Sequence, residues 1–156
     1  GMFAMYGAHE ATECVRSVVT LGSPVTFDPE GSQSPPLVKA LYRLISHPMG
    51  TTAHLTQASA KYLRQPKTLP VPISCLYSLI DGVVPPQEAT IDGNPALHEN
   101  IRVPGSHLGL GFNPLVLWIV ADRLAQPEEQ WRPFVAPAGL LGRIYRLTTS
   151  FRRAPA

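Results

Sequence analysis

One stretch decides the fold: RVPGSHLGLGFNPLVLWIVADRL, residues 102–124. An apolar, strand-like run breaks at Gly-Ser-His and then leads directly into an apolar segment with helical spacing. Asn113 is the predicted N-cap of that helix, Pro114 occupies its first position, and Pro127 lies just past its end. The stretch therefore predicts a strand, a loop and a helix, with His107 in the loop, held by the backbone and open to solvent. An enzyme places a base at such a position, and an ordinary loop carries a polar residue there too.

The segments before this stretch alternate between helix-like and strand-like patterns. Residues 2–11, MFAMYGAHEA, are rich in helix formers, and Ala4 and Ala8 give a small-residue face suited to lie against a flat surface. Gly22 and Pro24 end the first strand-like run. The predicted strands are CVRSVVTLGSPV (14–25), VPISCLYSLID (71–81) and ENIRVPG (99–105), and the predicted helices between the first two are PLVKALYRLISH (36–47) and TTAHLTQASAKYLRQP (51–66).

Strands separated by helical crossovers form a parallel sheet with helices on its faces, so the predicted fold class is α/β. Three strands are few, because parallel sheets are normally wider and covered on both faces. The chain therefore builds an unusually small sheet or is part of something larger. We assign residues 1–134 to one domain with a helical insertion over 26–70, and residues 135–156 to a basic tail.

Composition narrows the function classes. Hydrophobic residues make up 44% and charged residues 15%, and a formal charge of +2 is too small to argue for a nucleic-acid partner. No apolar run is long enough to cross a membrane, and without a signal-peptide pattern at the start the cytoplasm is the favoured location. Two cysteines without ligand-like spacing predict neither a disulfide nor a metal site, and no cofactor is predicted. We interpret Cys14 and Cys75 as reduced, buried residues.

The C-terminal tail carries most of the chain's excess of positive over negative charge. Arg143, Arg146, Arg152 and Arg153 follow Glu129 with no acidic residue among them. This pattern favours a solvated, partly disordered end, and contact with a phosphate or a membrane is the alternative.

Functional residues of parallel sheets gather at the carboxyl ends of the strands. Here those ends are LGSP after Leu21, LIDGVVPP containing Asp81, and VPGSHLG containing His107. The acid would accept a hydrogen bond from the imidazole Nδ1–H, fix its tautomer and stabilise the imidazolium form. The other ring nitrogen would then be free to take a proton from a nucleophile.

In these segments the chain resembles the α/β-hydrolase superfamily, in particular its lipase- and esterase-like members. The resemblance covers nearly all of the chain up to about Phe134. It implies that Asp81 is the acid and His107 the base of a catalytic triad, in the chain order of that family. It also implies that residues 26–70 lie where the family inserts its variable cap. The segments that carry it are VRSVVTLGSP (15–24) as the strand after the nucleophile helix, YSLIDGVVP (77–85) as the strand and turn of the acid, and GSHLGLGFNP (105–114) as the histidine loop.

The resemblance implies a serine in a G-x-S-x-G turn, and that string is absent from the sequence. The first residues, GMFAMYGAHEA, resemble the helix that follows this turn. Gly1 is therefore either the last glycine of the turn or a cloning remnant ahead of Met2. Either way the serine, the strand before it and most of the oxyanion hole are missing, and we expect the chain alone to be inactive or nearly so.

Other candidate nucleophiles are weaker. By the resemblance, Ser23 is a structural residue under the site, and Ser106 is expected to point away from His107 in an extended turn. Cys14 and Cys75 fall inside strand-like runs and not at their ends, which disfavours a cysteine nucleophile. The remaining histidines have no metal-ligand spacing and are interpreted as surface or cap residues: His9, His47, His54 and His98.

These observations leave two main functional hypotheses. The first is the C-terminal part of a serine hydrolase acting on a small-molecule ester or related acyl compound. The second is a non-catalytic module that associates with itself, because VRSVVTL (15–21) would leave an unpaired, apolar sheet edge. We therefore predict a homodimer formed through this edge or through apolar helix faces. A third possibility is that a partner chain supplies the serine or that two copies exchange elements.

Overall fold

A computed structural model of the chain describes residues 1–25, 35–36, 69–127 and 130–150. Apart from Pro36, both helices predicted between residues 36 and 66 lie outside these ranges, as does most of the insertion assigned to 26–70. The described elements are α1 (Met2–Glu10), β1 (Val18–Leu21), β2 (Ile73–Tyr77), β3 (His98–Arg102), α2 (Pro114–Leu124) and α3 (Leu140–Ser150), with 3₁₀ turns at Thr12–Cys14 and Leu110–Phe112.

The three strands form one small, open parallel sheet in the order β1-β2-β3. Ile73 of β2 pairs with Val18 on one side and with His98 on the other. The four residues from Ile73 to Leu76 are buried, as a central strand between two neighbours and two covering layers requires. The prediction of a small α/β fold with flanking helices is confirmed.

Helix α1 covers one face of the sheet. Its Met5 and Ala8 are buried in a cluster with Val18, Ile73 and Cys75. Ala4 is exposed, so the predicted Ala4–Ala8 contact face is wrong. Because residues three apart share a side of a helix, the true contact face is Met5 with Ala8.

Helix α2 covers the other face. Val116 and Ile119 are fully buried against Leu76 and Ile101, which alternate along their strands with the residues under α1. Two clusters of apolar side chains thus lie on opposite faces of one sheet. Among the described residues, none of the helices combines the length and apolarity that crossing a bilayer requires.

The two cysteines have different surroundings. Cys75 is buried in β2 as predicted, whereas Cys14 is exposed, which contradicts its interpretation as a buried strand residue. The reason is local: residues Thr12–Cys14 form a 3₁₀ turn, and β1 begins only at Val18.

The basic C-terminal segment contains a helix that the sequence interpretation missed. Helix α3 occupies Leu140–Ser150, in the region expected to be a partly disordered end. The Phe134 ring joins α3 to α2, because it packs edge-to-face with Trp118 at 5.7 Å and with Tyr145 at 5.3 Å between ring centroids. Such aromatic pairs stabilise by about 0.5–1.5 kcal/mol beyond the area that they bury.

Candidate active site

Two side chains predicted from the sequence meet at the carboxyl end of the sheet. Asp81 Oδ2 lies 2.9 Å from His107 Nδ1. The Asp81 side chain is 1% exposed and that of His107 31% exposed. Within the described part of the chain, no hydrogen bond engages Nε2 of this partly exposed imidazole. We call Asp81 and His107 the dyad.

The register of the sheet explains why these two residues meet. Tyr77 at the end of β2 pairs with Arg102 at the end of β3, and Val103 N extends the pairing by donating to the Tyr77 carbonyl at 2.8 Å. Asp81 follows the end of β2 by four residues, and His107 follows the end of β3 by five. Because parallel strands end at one edge, their following turns deliver the acid and the imidazole to the same place.

The turn after β2 holds the carboxylate of the dyad. Asp81 Oδ1 accepts hydrogen bonds from the backbone N–H groups of Val83 and Val84, at 2.8 and 2.9 Å. Ser78 Oγ accepts from Ile80 N at 3.3 Å and tightens the same turn. The Asp-Gly turn therefore orients the second carboxylate oxygen, Oδ2, toward the imidazole.

The loop that carries His107 is fixed from both sides. The side-chain Nδ2 of Asn113 donates to the Pro104 carbonyl at 2.7 Å. The side-chain Oδ1 of the same residue accepts from Leu115 N at 3.0 Å and caps helix α2. Within the loop, Leu110 N donates to the Ser106 carbonyl at 3.1 Å. The predicted N-cap is thus confirmed, and it does a second task that the sequence pattern did not indicate.

Gly22 forms the floor of the dyad, and the sequence interpretation missed this role. Its φ is 52°, in the left-handed region that favours glycine. A Cβ at this position would lie 2.7 Å from Asp81 Oδ2, 2.9 Å from Leu110 Cδ1 and 3.4 Å from His107 Nδ1. Any side chain at residue 22 would therefore displace Asp81 or Leu110. The sequence contained one indication of this role, namely a glycine directly after the first strand.

Neither nearby serine serves as a partner for the imidazole. Ser23 Oγ donates to the Leu21 carbonyl at 3.3 Å, and Ser106 Oγ accepts from Gly109 N at 3.3 Å. Cys75 is fully buried, and this burial raises the pKa of its thiol to about 11, which keeps it in the unreactive neutral form. Among the described residues, no hydroxyl or thiol is hydrogen-bonded to His107 Nε2.

The start of α1 lies close to the same edge of the sheet. A Cβ on Gly1 would overlap Ser23, so a side chain has no room at position 1 unless Ser23 moves. Ser23 directly follows Gly22, the floor of the dyad. The backbone entering α1 therefore reaches the neighbourhood of Asp81 and His107.

Three exposed apolar side chains belong to the loops that carry the dyad. Ile80 precedes the acid, Leu108 follows the imidazole, and Phe112 ends the 3₁₀ turn after it. Exposed apolar groups on the loops that carry a polar pair suit an apolar ligand or a covering segment.

Of the histidines that the structure describes, His9 and His98 do not belong to the site. His98 is buried in β3, which contradicts its interpretation as a surface or cap residue. Its Nδ1 accepts from Asn94 N at 3.0 Å and its Nε2 lies 3.1 Å from the Leu69 carbonyl, so both ring nitrogens are used structurally. His9 is partly buried in α1, and this burial lowers its pKa. His47 and His54 lie outside the described residues.

A cavity of about 520 Å³ opens at the opposite end of the sheet. Ser17, Pro72 and Leu97, which each directly precede a strand, contribute to its wall. Its described lining contains no imidazole, thiol or carboxylate. The dyad is therefore the better candidate site, although it does not lie in this cavity.

No protein-family model, curated protein or solved structure matches this chain. The chemistry of the site is therefore interpreted from its own geometry.

Proposed function

We propose that the dyad is the base-and-acid part of an α/β-hydrolase-like serine hydrolase, of which this chain forms the C-terminal portion. The observation that carries the proposal is the 2.9 Å contact between Asp81 Oδ2 and His107 Nδ1, made by turns that follow two adjacent parallel strands. The reaction is hydrolysis of an ester or a related acyl bond. The exposed Ile80, Leu108 and Phe112 suit an apolar acyl or alkyl group.

The geometry favours a separate role for each side chain of the dyad in the reaction. With Nδ1–H donated to Asp81, His107 Nε2 keeps its lone pair and takes the proton of the serine hydroxyl as the serine oxygen bonds to the acyl carbon. The carboxylate, held by two backbone N–H groups, stabilises the resulting imidazolium. His107 then gives the proton to the leaving alcohol, and a water molecule repeats the sequence to release the acid and restore the serine.

We propose that the serine lies on native polypeptide that precedes helix α1. The contact of Gly1 with Ser23, next to the floor of the dyad, supports this placement. It agrees with the resemblance, in which the nucleophile turn ends in glycines at the start of the following helix.

The test compares the 156-residue chain with a chain extended by its native upstream codons. A fluorophosphonate probe detects an activated serine, and a p-nitrophenyl ester measures turnover. We expect the probe to label the extended chain and not the 156-residue chain, and only the extended chain to hydrolyse the ester. His107→Ala in the extended chain should lower kcat by about four orders of magnitude or more. His9→Gln is the matched control and should leave turnover unchanged. An upstream frame that stops before any G-x-S-x-G string, or an extended chain that the probe does not label, would contradict the proposal.

A second candidate is a non-catalytic module that associates with itself. Its support is the outer edge of β1, because β1 pairs only with β2 among the described residues. An open strand edge invites pairing with another chain. Light scattering at micromolar concentration should then report a homodimer, and a clean monomer would contradict this candidate.

A further inference from the structure

Helix α3 is attached to the rest of the protein by one side. Gly142 is buried and Tyr145 and Thr149 are half-buried, and these positions lie on one face because they are three and seven residues apart. Tyr145 packs edge-to-face on Phe134, and Gly142 has no room for a side chain because the Pro137 carbonyl lies against it. These contacts fix the direction in which the remaining faces of α3 point.

The opposite side of α3 is an apolar stripe, formed by Leu140, Ile144 and Leu147 at positions i, i+4 and i+7. Leu140 is 75% exposed and Leu147 66% exposed. Leu141, half exposed, lies beside the stripe. The helix is about 16 Å long, so these four side chains form a continuous row on its outer surface. A contiguous exposed apolar row marks an interaction surface.

The charged residues of the segment that contains α3 have a single sign. Arg143 and Arg146 are exposed and lie along one flank of the helix, between the stripe and the attached face. From Gln130 to the last residue, the sequence has five arginines and no aspartate or glutamate. A partner for this segment therefore has to offer negative charge beside an apolar layer.

We infer that α3 binds the surface of a bilayer that contains anionic lipid. An apolar row flanked by arginines is typical of helices that lie in the membrane–water interface. Leu140, Ile144 and Leu147 would enter the boundary of the acyl chains, and Arg143 and Arg146 would lie among the headgroups. A second copy of the chain is a poorer occupant, because pairing two stripes brings together two segments with arginines and no carboxylate to offset them.

The test measures sedimentation of the 156-residue chain with lipid vesicles. We expect binding to phosphatidylcholine vesicles containing about 30% phosphatidylglycerol and much weaker binding to phosphatidylcholine alone. About 1 M NaCl should release the protein, because the Debye length then falls to about 3 Å.

Paired variants separate the two contributions to binding. Ile144→Gln with Leu147→Gln should reduce binding at least about tenfold with little change in Tm, since Leu147 is 66% and Ile144 41% exposed. Arg143→Gln with Arg146→Gln should weaken it about fivefold per arginine, and Arg143→Lys with Arg146→Lys should retain it. Phe3→Gln, an exposed apolar residue of α1, is the matched control and should bind like the parent chain.

Two outcomes would overturn the inference. The first is binding that neither the apolar nor the arginine pair of substitutions changes. The second is absence of binding to the vesicles that contain phosphatidylglycerol. In that case a marked loss of Tm in the Ile144→Gln, Leu147→Gln variant would show that the stripe packs within the chain, and a dimer that the same variant dissociates would identify a second copy as the occupant.

Discussion

One carboxylate at position 81 serves two hydrogen-bonding tasks. Its Oδ1 accepts from the backbone of Val83 and Val84, and its Oδ2 faces His107 Nδ1. The first task shapes the turn, and the second selects the ring nitrogen that carries the proton. A substitution that keeps the first task and removes the second therefore isolates the role of the acid.

Asp81→Asn makes this separation. We expect the amide oxygen to keep the turn, so that the –NH₂ group faces the imidazole and the Nδ1–H tautomer of His107 is lost in favour of Nε2–H. Nitrogen-15 NMR of the histidine side chains measures the tautomer directly. Tm should change little, because the turn bonds are retained. An unchanged Nδ1–H signal in the variant would contradict the assigned role of Asp81.

At this scale the sequence predicts the two side chains of the dyad better than the residues that pack around them. Asp81 and His107 could be selected because acid and imidazole follow two strand-like runs. Gly22 could not, because its contact with the dyad depends on the positions of three separate strand ends. His98 was misjudged for a similar reason: its two partners lie in other segments, one of them 29 positions away.

Among the elements, the junction between the histidine loop and α2 depends on one side chain. Asn113 caps α2 through its oxygen and holds the Pro104 carbonyl through its nitrogen. The same residue therefore begins the helix and fixes the base of the loop that presents His107.

Two substitutions at position 113 should separate these contributions. Asn113→Ser keeps a capping oxygen but loses the bond to Pro104, and we expect it to lower the free energy of unfolding by about 1 kcal/mol. Asn113→Ala loses both hydrogen bonds, and we expect it to lower the free energy of unfolding by about 2 kcal/mol. Urea unfolding followed by circular dichroism measures the difference. Equal losses in the two variants would show that the cap contributes nothing at this helix.

The two later helices differ in how well the sequence predicts them. Helix α2 is bounded by a capping Asn113 and by prolines, and its Leu115, Val116 and Ile119 are buried in the core, so local and tertiary preferences agree. Helix α3 was missed because Pro137, Gly139 and Gly142 indicate a loop and the arginines indicate a solvated end. Its Leu140–Ile144–Leu147 period is visible in the sequence, but that row faces outward and not toward the core.

Across the whole molecule, a buried ion pair connects parts that are distant in sequence. Arg123 Nη1 on α2 donates to Glu99 Oε1 on β3 at 3.0 Å, and both side chains are at most 10% exposed. Ser74 Oγ on β2 donates to the same oxygen, and Phe134 N donates to Glu99 Oε2, each at 2.6 Å. The Arg123 guanidinium also lies over the Phe134 ring, 5.4 Å from its centroid. The carboxylate thus joins two strands, α2 and the segment leading to α3.

The sequence alone does not predict this pair. Glu99 stands between His98 and Asn100 in a short strand, where a polar residue suggests an exposed position. Its partner on α2 is 24 positions later, and only the register of β3 and the packing of α2 bring the two together. Long-range pairs of this kind depend on the assembled sheet and leave no local pattern.

Removing one partner of the ion pair should lower the free energy of unfolding far more than removing both charges. Arg123→Met leaves Glu99 buried without its cation, and we expect a loss of about 3–5 kcal/mol in the free energy of unfolding. Adding Glu99→Gln removes the uncompensated charge while keeping an acceptor for Phe134 N, so the double variant should recover about 1–3 kcal/mol of that loss. Asp122→Asn is the matched control, because Asp122 also contacts Arg123 but its side chain is 43% exposed, and we expect it to lower the free energy of unfolding by at most about 1 kcal/mol. Urea unfolding of the three variants and the parent completes the comparison. A double variant no more stable than Arg123→Met would show that charge burial at Glu99 does not couple the sheet to α2, and the connection would then rest on the packing around Phe134 alone.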